Sequence, residues 1–388
     1  MMQKIRILHL IKTLNLGGAE SNLINLAQAI ETSQFQIHVG YSSGGELEGK
    51  FRDSGIKLFR FAKGNYKIKS LASLVIILRL VGYILKNNIQ IVQTHSFNAH
   101  VWALIAAKLT GIKIIEHVHD FRYVDPIEFK RRRGITKQYK YIKYFKKMSD
   151  MVIVLTKQNY DFLLNNKLYE KNKIRIIQNG IPILNEVKSY TEKKVLLKRK
   201  LNIGDDDLVI LTSCRIVAEK NVDLILRIAP KIKNEYGKVV FIIAGDGPLL
   251  EEFKERIITE KLENTIIMNG FYAKVNDLLG ISDLFLLPSF LELHSIAVLE
   301  AMNAKVPLVI SKDVGCNNEF INNWENGILL DPFVDEQWTK AIINLLQDSQ
   351  LRKKIGEQGY QYCTENFNIK NVAKKIENIY RELTNKSR

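Results

Sequence analysis

Short runs of apolar residues recur along the whole chain, separated by segments in which apolar residues return every three or four positions. The first pattern is typical of strands buried on both faces, and the second of helices that pack one side on a sheet. The predicted strands are KIRILHLI, FQIHVGY, IQIVQTH, IKIIEHVH, MVIVLT and KIRIIQNGI in the first half, and LVILTSC, KVVFIIAGDG, TIIMNGF, DLFLLPS, VPLVIS and NGILLDP in the second. This alternation predicts an α/β fold with two doubly wound parallel sheets.

A polar segment near the middle of the chain, residues 182–193, follows neither pattern. We therefore predict two domains, residues 1–183 and 184–368. The last segment, residues 369–388, predicts a helix with one apolar face, formed by Val372, Ile376, Ile379 and Leu383. Ligands of such sheets bind outside the carboxyl ends of the strands, so we expect a site in a cleft between two facing domains.

Length and cysteine usage narrow the class of protein. A chain of 388 residues is too long for one ordinary core. Its three cysteines are widely spaced, which predicts neither a disulfide framework nor a metal cluster and indicates a reducing compartment such as the cytoplasm. We expect no cleavable leader. The longest apolar run, residues 71–85, contains Arg79 and is shorter than the roughly 20 residues of a membrane span, so we expect a packed helix.

The formal net charge of +16 indicates an anionic partner. Residues 130–148 contain no acid and mix aromatic residues with lysines. This segment either binds an anionic membrane, at the inner face of the cell membrane, or is a solvated helix face. The candidate residues for contact with a membrane or with the acceptor are Arg131, Arg132, Arg133, Lys137 and Lys140. Nucleic acid is not expected as a partner, because no known binding motif accompanies the charge.

Glycines and cations follow several predicted strands. Gly17 and Gly18 allow a tight turn, and the helix after them offers N–H groups to an anion. Arg215 and Lys220 lie just past a buried strand, where two cations can hold a diphosphate without a metal ion; the alternative is a pair of surface charges. The GDG turn at residues 245–247 either binds phosphate or only connects a strand to a helix.

Two glutamates border an apolar helix in the stretch SFLELHSIAVLEAM. Glu292 follows a predicted strand, and Glu300 lies inside the helix for which Ser295 is the predicted N-cap. Carboxylates accept hydrogen bonds from paired sugar hydroxyls, so Glu300 would bind a ribose and Glu292 a second sugar. The N–H groups of His294, Ser295 and Ile296 would meet the phosphates between them. The alternative for each glutamate is an exposed or salt-bridged side chain.

An ordered series of motifs covers nearly the whole chain: GGAE, R-x4-K at Arg215, GDGP at Gly245, PSFLE-x7-E ending at Glu300, and NGILLDP. The series resembles the retaining, nucleotide-sugar-dependent glycosyltransferases of family 4, which have the GT-B architecture. That resemblance implies two Rossmann-like domains facing across a cleft, with the helix at 369–388 packed back on the first. It also implies an active enzyme of bacterial surface-polysaccharide synthesis, such as capsule or exopolysaccharide.

The resemblance assigns roles by position. Arg215 and Lys220 match the cations that bind the donor diphosphate and stabilise the leaving nucleotide. Glu300 matches the ribose ligand, and Glu292 the acid that contacts the transferred sugar. His119 matches a histidine beside that sugar.

Further positions complete the expected donor site. Gly18, with Gly17 before it, matches the loop whose backbone approaches the phosphates, and we expect the base near Gly270 and Phe271. His95, at a neighbouring strand end, is a weaker candidate whose alternative is a buried core residue. The chain departs from the family pattern where glycine is usual, at Cys214, Leu293 and Cys316.

The implied reaction moves a sugar from a nucleotide-diphosphate sugar, with UDP favoured over GDP, to a saccharide or a polyprenyl-linked saccharide. The anomeric configuration is retained, and neither a metal nor a cofactor besides the nucleotide sugar is expected. Two alternatives stay open. A sugar-nucleotide epimerase of the same architecture would need no acceptor, and a basic nucleic-acid-binding protein would ignore nucleotide sugars.

Overall fold

The computed structural model describes residues 4–62, 71–119, 148–183, 191–272 and 274–385. The chain forms two compact units, one of residues 1–182 with 368–388 and one of residues 183–367. The chain therefore passes from one unit to the other twice. Among the described residues, no helix has both the length and the apolar character of a membrane span.

The first unit contains a parallel sheet with the strands β1 (Ile5–Thr13), β2 (Phe35–Ser43), β3 (Lys57–Arg60), β4 (Ile91–Thr94), β5 (Lys113–His117), β6 (Met151–Val154) and β7 (Ile174–Ile176). Their order is β3-β2-β1-β4-β5-β6-β7. The sequence predicted every strand except β3, a short edge strand whose two end residues, Lys57 and Arg60, are exposed. The strand order changes direction between β1 and β4, which is where ligands of such sheets bind.

The described helices of this half are α1 (Gly18–Ala29), α2 (Glu48–Asp53), α3 (Leu71–Lys86), α4 (Phe97–Thr110) and α5 (Lys157–Asn165). The predicted helix α3 is confirmed, but its packing is one-sided. One face packs in the core beside α4, through Ile76, Ile77, Leu80 and Ile84. The opposite face of α3 is also apolar, and it is more than half exposed at Leu74, Val75, Leu78 and Leu85.

The second unit contains a parallel sheet with the strands β8 (Leu208–Ser213), β9 (Val239–Ala244), β10 (Ile266–Gly270), β11 (Leu284–Leu287), β12 (Leu308–Ser311) and β13 (Ile328–Leu330). Their order is β10-β9-β8-β11-β12-β13, so the direction changes between β8 and β11. All six strands lie in the predicted apolar runs.

The helices of the second unit are α6 (Thr191–Lys200), α7 (Val222–Tyr236), α8 (Leu250–Thr259), α9 (Val275–Ile281), α10 (Ile296–Asn303), α11 (Asn317–Phe320), α12 (Asp335–Gln347) and α13 (Ser349–Asn366). The core lies between α7, α12 and the strand faces, and Trp338 within it is fully buried. This packing holds the loops at the carboxyl ends of β8 and β11.

The last helix, α14 (Ile369–Asn385), belongs to the first unit. It contacts α1, and it shares a core cluster with Ile7, Ile91 and Ile115 of the central strands. Its buried face includes the four apolar residues that the sequence pattern placed on one side. Residues at the end of the chain therefore cover strands formed at its beginning.

Candidate functional site

Lys220 and Glu292 form an ion pair at the strand-order switch of the second unit. Lys220 ends a short 3₁₀ turn after β8, and Glu292 lies in the loop after β11. The Phe290 N–H donates to the Glu219 carbonyl at 2.8 Å, so the two loops are also joined through their backbones. Ser289 Oγ donates to Glu292 Oε1 at 3.3 Å. The sequence predicted both residues just past strand ends and left a salt-bridged side chain open as the alternative for Glu292, which is what the structure shows. It did not predict that Lys220 is the partner.

The electrostatics of this pair keep Lys220 charged. Burial by itself lowers the pKa of Lys220, but the attraction of the Glu292 carboxylate outweighs burial, and the pKa is raised above its ordinary value. The side chains are only 19% and 10% exposed. A cation held in this way needs little reorganisation to meet a second negative group.

Arg215 lies on the same loop as Lys220 and differs from it in exposure. It is exposed, and within the described parts of the chain its guanidinium has no ion-pair partner. A guanidinium that projects past a strand end can bind an oxyanion through two parallel hydrogen bonds. The loop thus presents one fixed cation and one exposed cation.

The GDG turn supports this loop through close backbone contact. A Cβ on Gly245 would lie 1.8 Å from the Cys214 carbonyl oxygen, and one on Gly247 would lie 2.3 Å from that of Ile216. The Ile216 N–H donates to the Asp246 carbonyl at 2.9 Å. The glycines are therefore required by backbone contact, which favours the structural alternative for this turn.

Glu300 lies in α10, which begins after Ser295 as predicted, although the Ser295 side chain makes no capping hydrogen bond. Glu300 is partly buried, and burial raises its pKa to about 7. The His294 ring packs against the rings of Phe320 and Phe367, and burial lowers its pKa to about 3. The His294 side chain is thus a neutral packing group, and what it can offer a ligand is its backbone.

A second loop fixes the backbone around Glu292. Gly315 has φ of 58°, and a Cβ there would lie 2.4 Å from the Leu293 carbonyl oxygen. The Cys316 N–H donates to the same oxygen at 3.0 Å. Leu293 and Cys316, two of the departures from the family pattern, are buried here. The larger side chains thus form part of the packing that holds this loop.

The remaining predicted donor positions lie at other strand ends. Gly270 ends β10 with φ of 79°, and Phe271 after it is half exposed. In the first unit, Gly17 has an extended backbone with φ of −156°, and α1 begins at Gly18. Neither residue is left-handed, and the Glu20 side chain lies beside Gly17, so a positive φ does not explain the glycine pair. The approach of this backbone to the phosphates stays a prediction.

Four histidines meet where β4 and β5 end beside the middle of β1: His9, His95, His117 and His119. Of these four, only His119 and His95 were predicted as candidates from the sequence. One ligand nitrogen from each of His95, His117 and His119 lies within 4.8 Å of the others, so among the described residues this group has the spacing that a metal ion accepts. The basic residues Arg131, Arg132, Arg133, Lys137 and Lys140 lie outside the described residues.

Comparison with solved structures defines the class. A structure of Anabaena HepE in complex with UDP and glucose matches with a TM-score of 0.83 at 20% identity, over 97% of this chain and 99% of that one. WaaG, a glycosyltransferase involved in lipopolysaccharide biosynthesis, matches with a TM-score of 0.74 at 16% identity, over 96% and 99%. The fold is that of the GT-B class, as predicted.

Sequence comparison gives the family. A model described as Glycosyltransferase Family 4 matches residues 16–183, and one described as Glycosyl transferases group 1 matches residues 194–362. The chain belongs to the family 4-type glycosyltransferases, which confirms the resemblance. An Escherichia coli UDP-Gal:alpha-D-GlcNAc-diphosphoundecaprenol alpha-1,3-galactosyltransferase is 25% identical over 97% of both chains. The alpha-monoglucosyldiacylglycerol synthase of Acholeplasma laidlawii is 24% identical, over 96% of this chain and 95% of the relative.

Proposed function

We propose that this glycosyltransferase moves a sugar from a UDP-sugar to a saccharide or lipid-linked saccharide, with retention of configuration and without a metal ion. The observation that carries the proposal is the fixed cation Lys220 beside the exposed Arg215 at a strand-order switch. Loss of UDP leaves negative charge on the diphosphate, and these two cations stabilise it as it develops. Glu300 binds the ribose, Glu292 contacts the transferred sugar, and His119 lies beside that sugar.

The choice of UDP rests on relatives. The Escherichia coli relative is named for UDP-Gal, and HepE has been solved with UDP and with UDP-glucose. The backbone N–H groups of His294, Ser295 and Ile296 lie at the start of α10 or just before it, where a helix N-terminus attracts anionic phosphates. In this proposal the acceptor's proton passes to the leaving phosphate on the face where the new bond forms.

Thermal-shift and product measurements test this reaction. UDP, and not GDP or ADP, should raise the melting temperature, because it binds the folded state. With a UDP-sugar and a polyprenyl-linked saccharide, NMR of the product should show the anomeric configuration of the donor, and EDTA should leave the rate unchanged. A changed sugar nucleotide in the absence of any acceptor would instead identify an epimerase. Loss of transfer in EDTA would refute metal independence.

We further propose that the protein works at the inner face of the membrane, where a lipid-linked acceptor is presented. Two relatives are named for glycolipids, a GlcNAc-diphosphoundecaprenol and a monoglucosyldiacylglycerol. In the described structure the exposed face of α3 presents four large apolar side chains, the helix contains no acid, and Arg79 and Lys86 add positive charge. An apolar helix face with basic residues binds anionic bilayers by insertion and charge together.

Vesicle binding tests the membrane proposal. The Leu74→Asp/Leu78→Asp double variant should lose at least tenfold in affinity for phosphatidylglycerol vesicles, because burial of each leucine in lipid contributes roughly 2 kcal/mol. Its thermal stability should stay close to wild type, since both side chains are already exposed. Leu196→Asp, at a similarly exposed leucine on α6, is the matched control and should bind normally. Equal binding by all three proteins would rule out α3 as the contact.

A further inference from the structure

In the first unit, a layer of polar side chains lies next to the apolar core, on the side nearer the carboxyl ends of β4 and β5. Side chains two residues apart on a strand share a face. Ile7, Ile91 and Ile115 face α14 in the core cluster. The next positions on that face are His9, Gln93 and His117, followed by His95 and His119. Tyr380 of α14 lies over this layer, and its side chain is fully buried.

Hydrogen bonds join the layer into one chain. The Tyr380 hydroxyl donates to Gln93 Oε1 at 2.6 Å and lies 3.3 Å from His9 Nε2. His9 Nδ1 lies 2.9 Å from His95 Nε2, and His95 Nδ1 lies 3.0 Å from His119 Nε2. The chain therefore connects a hydroxyl on the last helix to the histidine that we place beside the donor sugar.

A branch of the same network reaches His117. Gln93 Nε2 lies 3.0 Å from His117 Nδ1. Since the Gln93 oxygen already accepts from Tyr380, its amide N–H group donates to His117 Nδ1. The proton of a neutral His117 is then on Nε2, which is buried and has no hydrogen-bond partner among the described residues.

The rings of His9, His95 and His117 are neutral, so the hydrogen bonds between them can run in only one direction at a time. Burial lowers the pKa of His9 to about 3 and holds the pKa of His95 and His117 well below the ordinary value. Burial also raises the pKa of Tyr380, so its hydroxyl keeps its proton. A neutral imidazole donates from one nitrogen and accepts at the other. One fixed donor therefore sets every bond that follows.

We propose that Tyr380, His9 and His95 are positioning residues that hold His119 as the tautomer protonated on Nε2. The Tyr380 hydroxyl proton points to Gln93, so the Tyr380 oxygen accepts from His9 Nε2–H. His9 Nδ1 then accepts from His95 Nε2–H, and His95 Nδ1 accepts from His119 Nε2–H. In neutral His119 this leaves Nδ1 as the acceptor nitrogen.

This tautomer decides what His119 can recognise, and that consequence rests on the proposed place of His119 beside the donor sugar. An acceptor nitrogen binds a sugar hydroxyl that donates, and it disfavours a sugar carrying a carbonyl or ether oxygen at that position. The tautomer also leaves the Nε2 atoms of both His117 and His119 protonated. A metal ion would have to displace a proton or a hydrogen bond at both His95 and His117 before it could use the three histidines as ligands.

Nitrogen NMR of the full-length protein tests the proposal without any substrate. The chain has seven histidines, so two-bond proton–nitrogen spectra of protein labelled with ¹⁵N-histidine are readily interpreted. His119 is assigned by the signals that disappear in His119→Gln. In wild type at pH 8, His119 and His117 should both show the tautomer protonated on Nε2. A His119 protonated on Nδ1 would overturn the proposal.

Tyr380→Phe removes only the hydroxyl that sets the direction. We expect His119 to become a mixture of tautomers, and kcat to fall roughly tenfold with little change in the KM for the UDP-sugar, because the ring still fills its place but its acceptor nitrogen is on the wrong side part of the time. Tyr169→Phe is the matched control, since the buried Tyr169 hydroxyl bonds Glu116 and Ser149 instead. His119 signals unchanged in Tyr380→Phe would refute the relay. Absence of sugar transfer by wild type would refute the proposed function and leave the tautomer result standing.

Discussion

At the scale of single residues, the pairing of Lys220 with Glu292 affects stability as well as chemistry. Each side chain is mostly buried, and each is the other's counter-ion. A buried charge that loses its partner costs more than the pair itself contributes, because the remaining charge keeps its desolvation penalty. The site is therefore expected to be a point of weakness once either partner is removed.

Lys220→Ala should lower the free energy of unfolding of the second unit by about 3 kcal/mol. Fluorescence of Trp324 and Trp338 in a Trp102→Phe background reports this unit during urea unfolding. Lys238→Ala, which breaks the exposed pair with Asp206, is the control and should leave the free energy of unfolding nearly unchanged. If both substitutions had the same small effect, Glu292 would not depend on Lys220.

Glu300 should link nucleotide binding to pH. Its pKa of about 7 lies above that of a free glutamate, and ribose hydroxyls that donate to it favour the ionised form. Affinity for UDP should therefore rise about tenfold between pH 6 and pH 8, with release of a proton on binding. Calorimetry in two buffers of different protonation enthalpy measures this release.

Glu300→Gln controls for the titration of the UDP phosphate itself. That variant should keep only the pH dependence that belongs to the ligand. Equal proton release by wild type and variant would mean that Glu300 does not contact the nucleotide.

How far a sequence predicts a site also differs between residues. The sequence was sufficient to find four residues of the candidate site, because each follows or borders an apolar run whose end can be read from the sequence. They are Arg215, Lys220, Glu292 and Glu300. The pairing of Lys220 with Glu292 was not, because it depends on which strands are neighbours. The histidine layer was missed because it also depends on which strands are neighbours. One signal was present in the sequence: Gln93 and His95, like His117 and His119, are two positions apart, so each pair lies on one face of its strand.

At the scale of elements, the loop at residues 313–316 packs against the backbone of the loop that carries Glu292 and holds it in place. Gly315 has a left-handed backbone, and a Cβ atom on it would lie against the carbonyl oxygens of Leu293 and Glu292. An alanine at this position would be strained by the positive φ. Its methyl group would also clash with backbone atoms, and no side-chain rotation can relieve that contact. The position of Glu292 therefore depends on an element that contributes no side chain to the proposed donor site.

Gly315→Ala should destabilise the second unit by more than about 1 kcal/mol and weaken UDP-sugar binding. Gly111→Ala is a matched control, because Gly111 is also left-handed, with φ of 70°, but no atom lies within 4 Å of the position that an added methyl group would take. The control should lose stability only. Equal donor affinity in the two variants would show that residues 313–316 do not set the loop.

Most strands and helices were predictable, because a buried parallel strand is an apolar run. Such a run can be recognised in the sequence without knowing which strand it pairs with. The exceptions have physical reasons. β3 is a four-residue edge strand with an exposed charged residue at each end, so its pattern is that of a loop. The exposed face of α3 was not foreseen, because a helix that is apolar on every side has the pattern of a fully buried one.

At the scale of the whole molecule, the first unit depends on the last helix. Ile376→Ala should lower the unfolding free energy of that unit by about 3 kcal/mol, because the side chain is fully buried and its removal leaves a cavity. Trp102 fluorescence in a Trp324→Phe/Trp338→Phe background follows that unit alone. Lys374→Ala, at an exposed position of the same helix, should change little. Equal transitions would mean that α14 is dispensable.

Because α14 lies at the end of the sequence, the first unit can be completed only after the second unit has been synthesised. A ribosome that has completed residue 182 still has to add the whole second unit before it makes the segment that covers Ile7, Ile91 and Ile115. At elongation rates of about 5–20 residues per second, that interval is roughly 10–40 s. During it the nascent protein exposes an unfinished apolar strand face, so we expect chaperone dependence to be greatest for chains stalled shortly before residue 369.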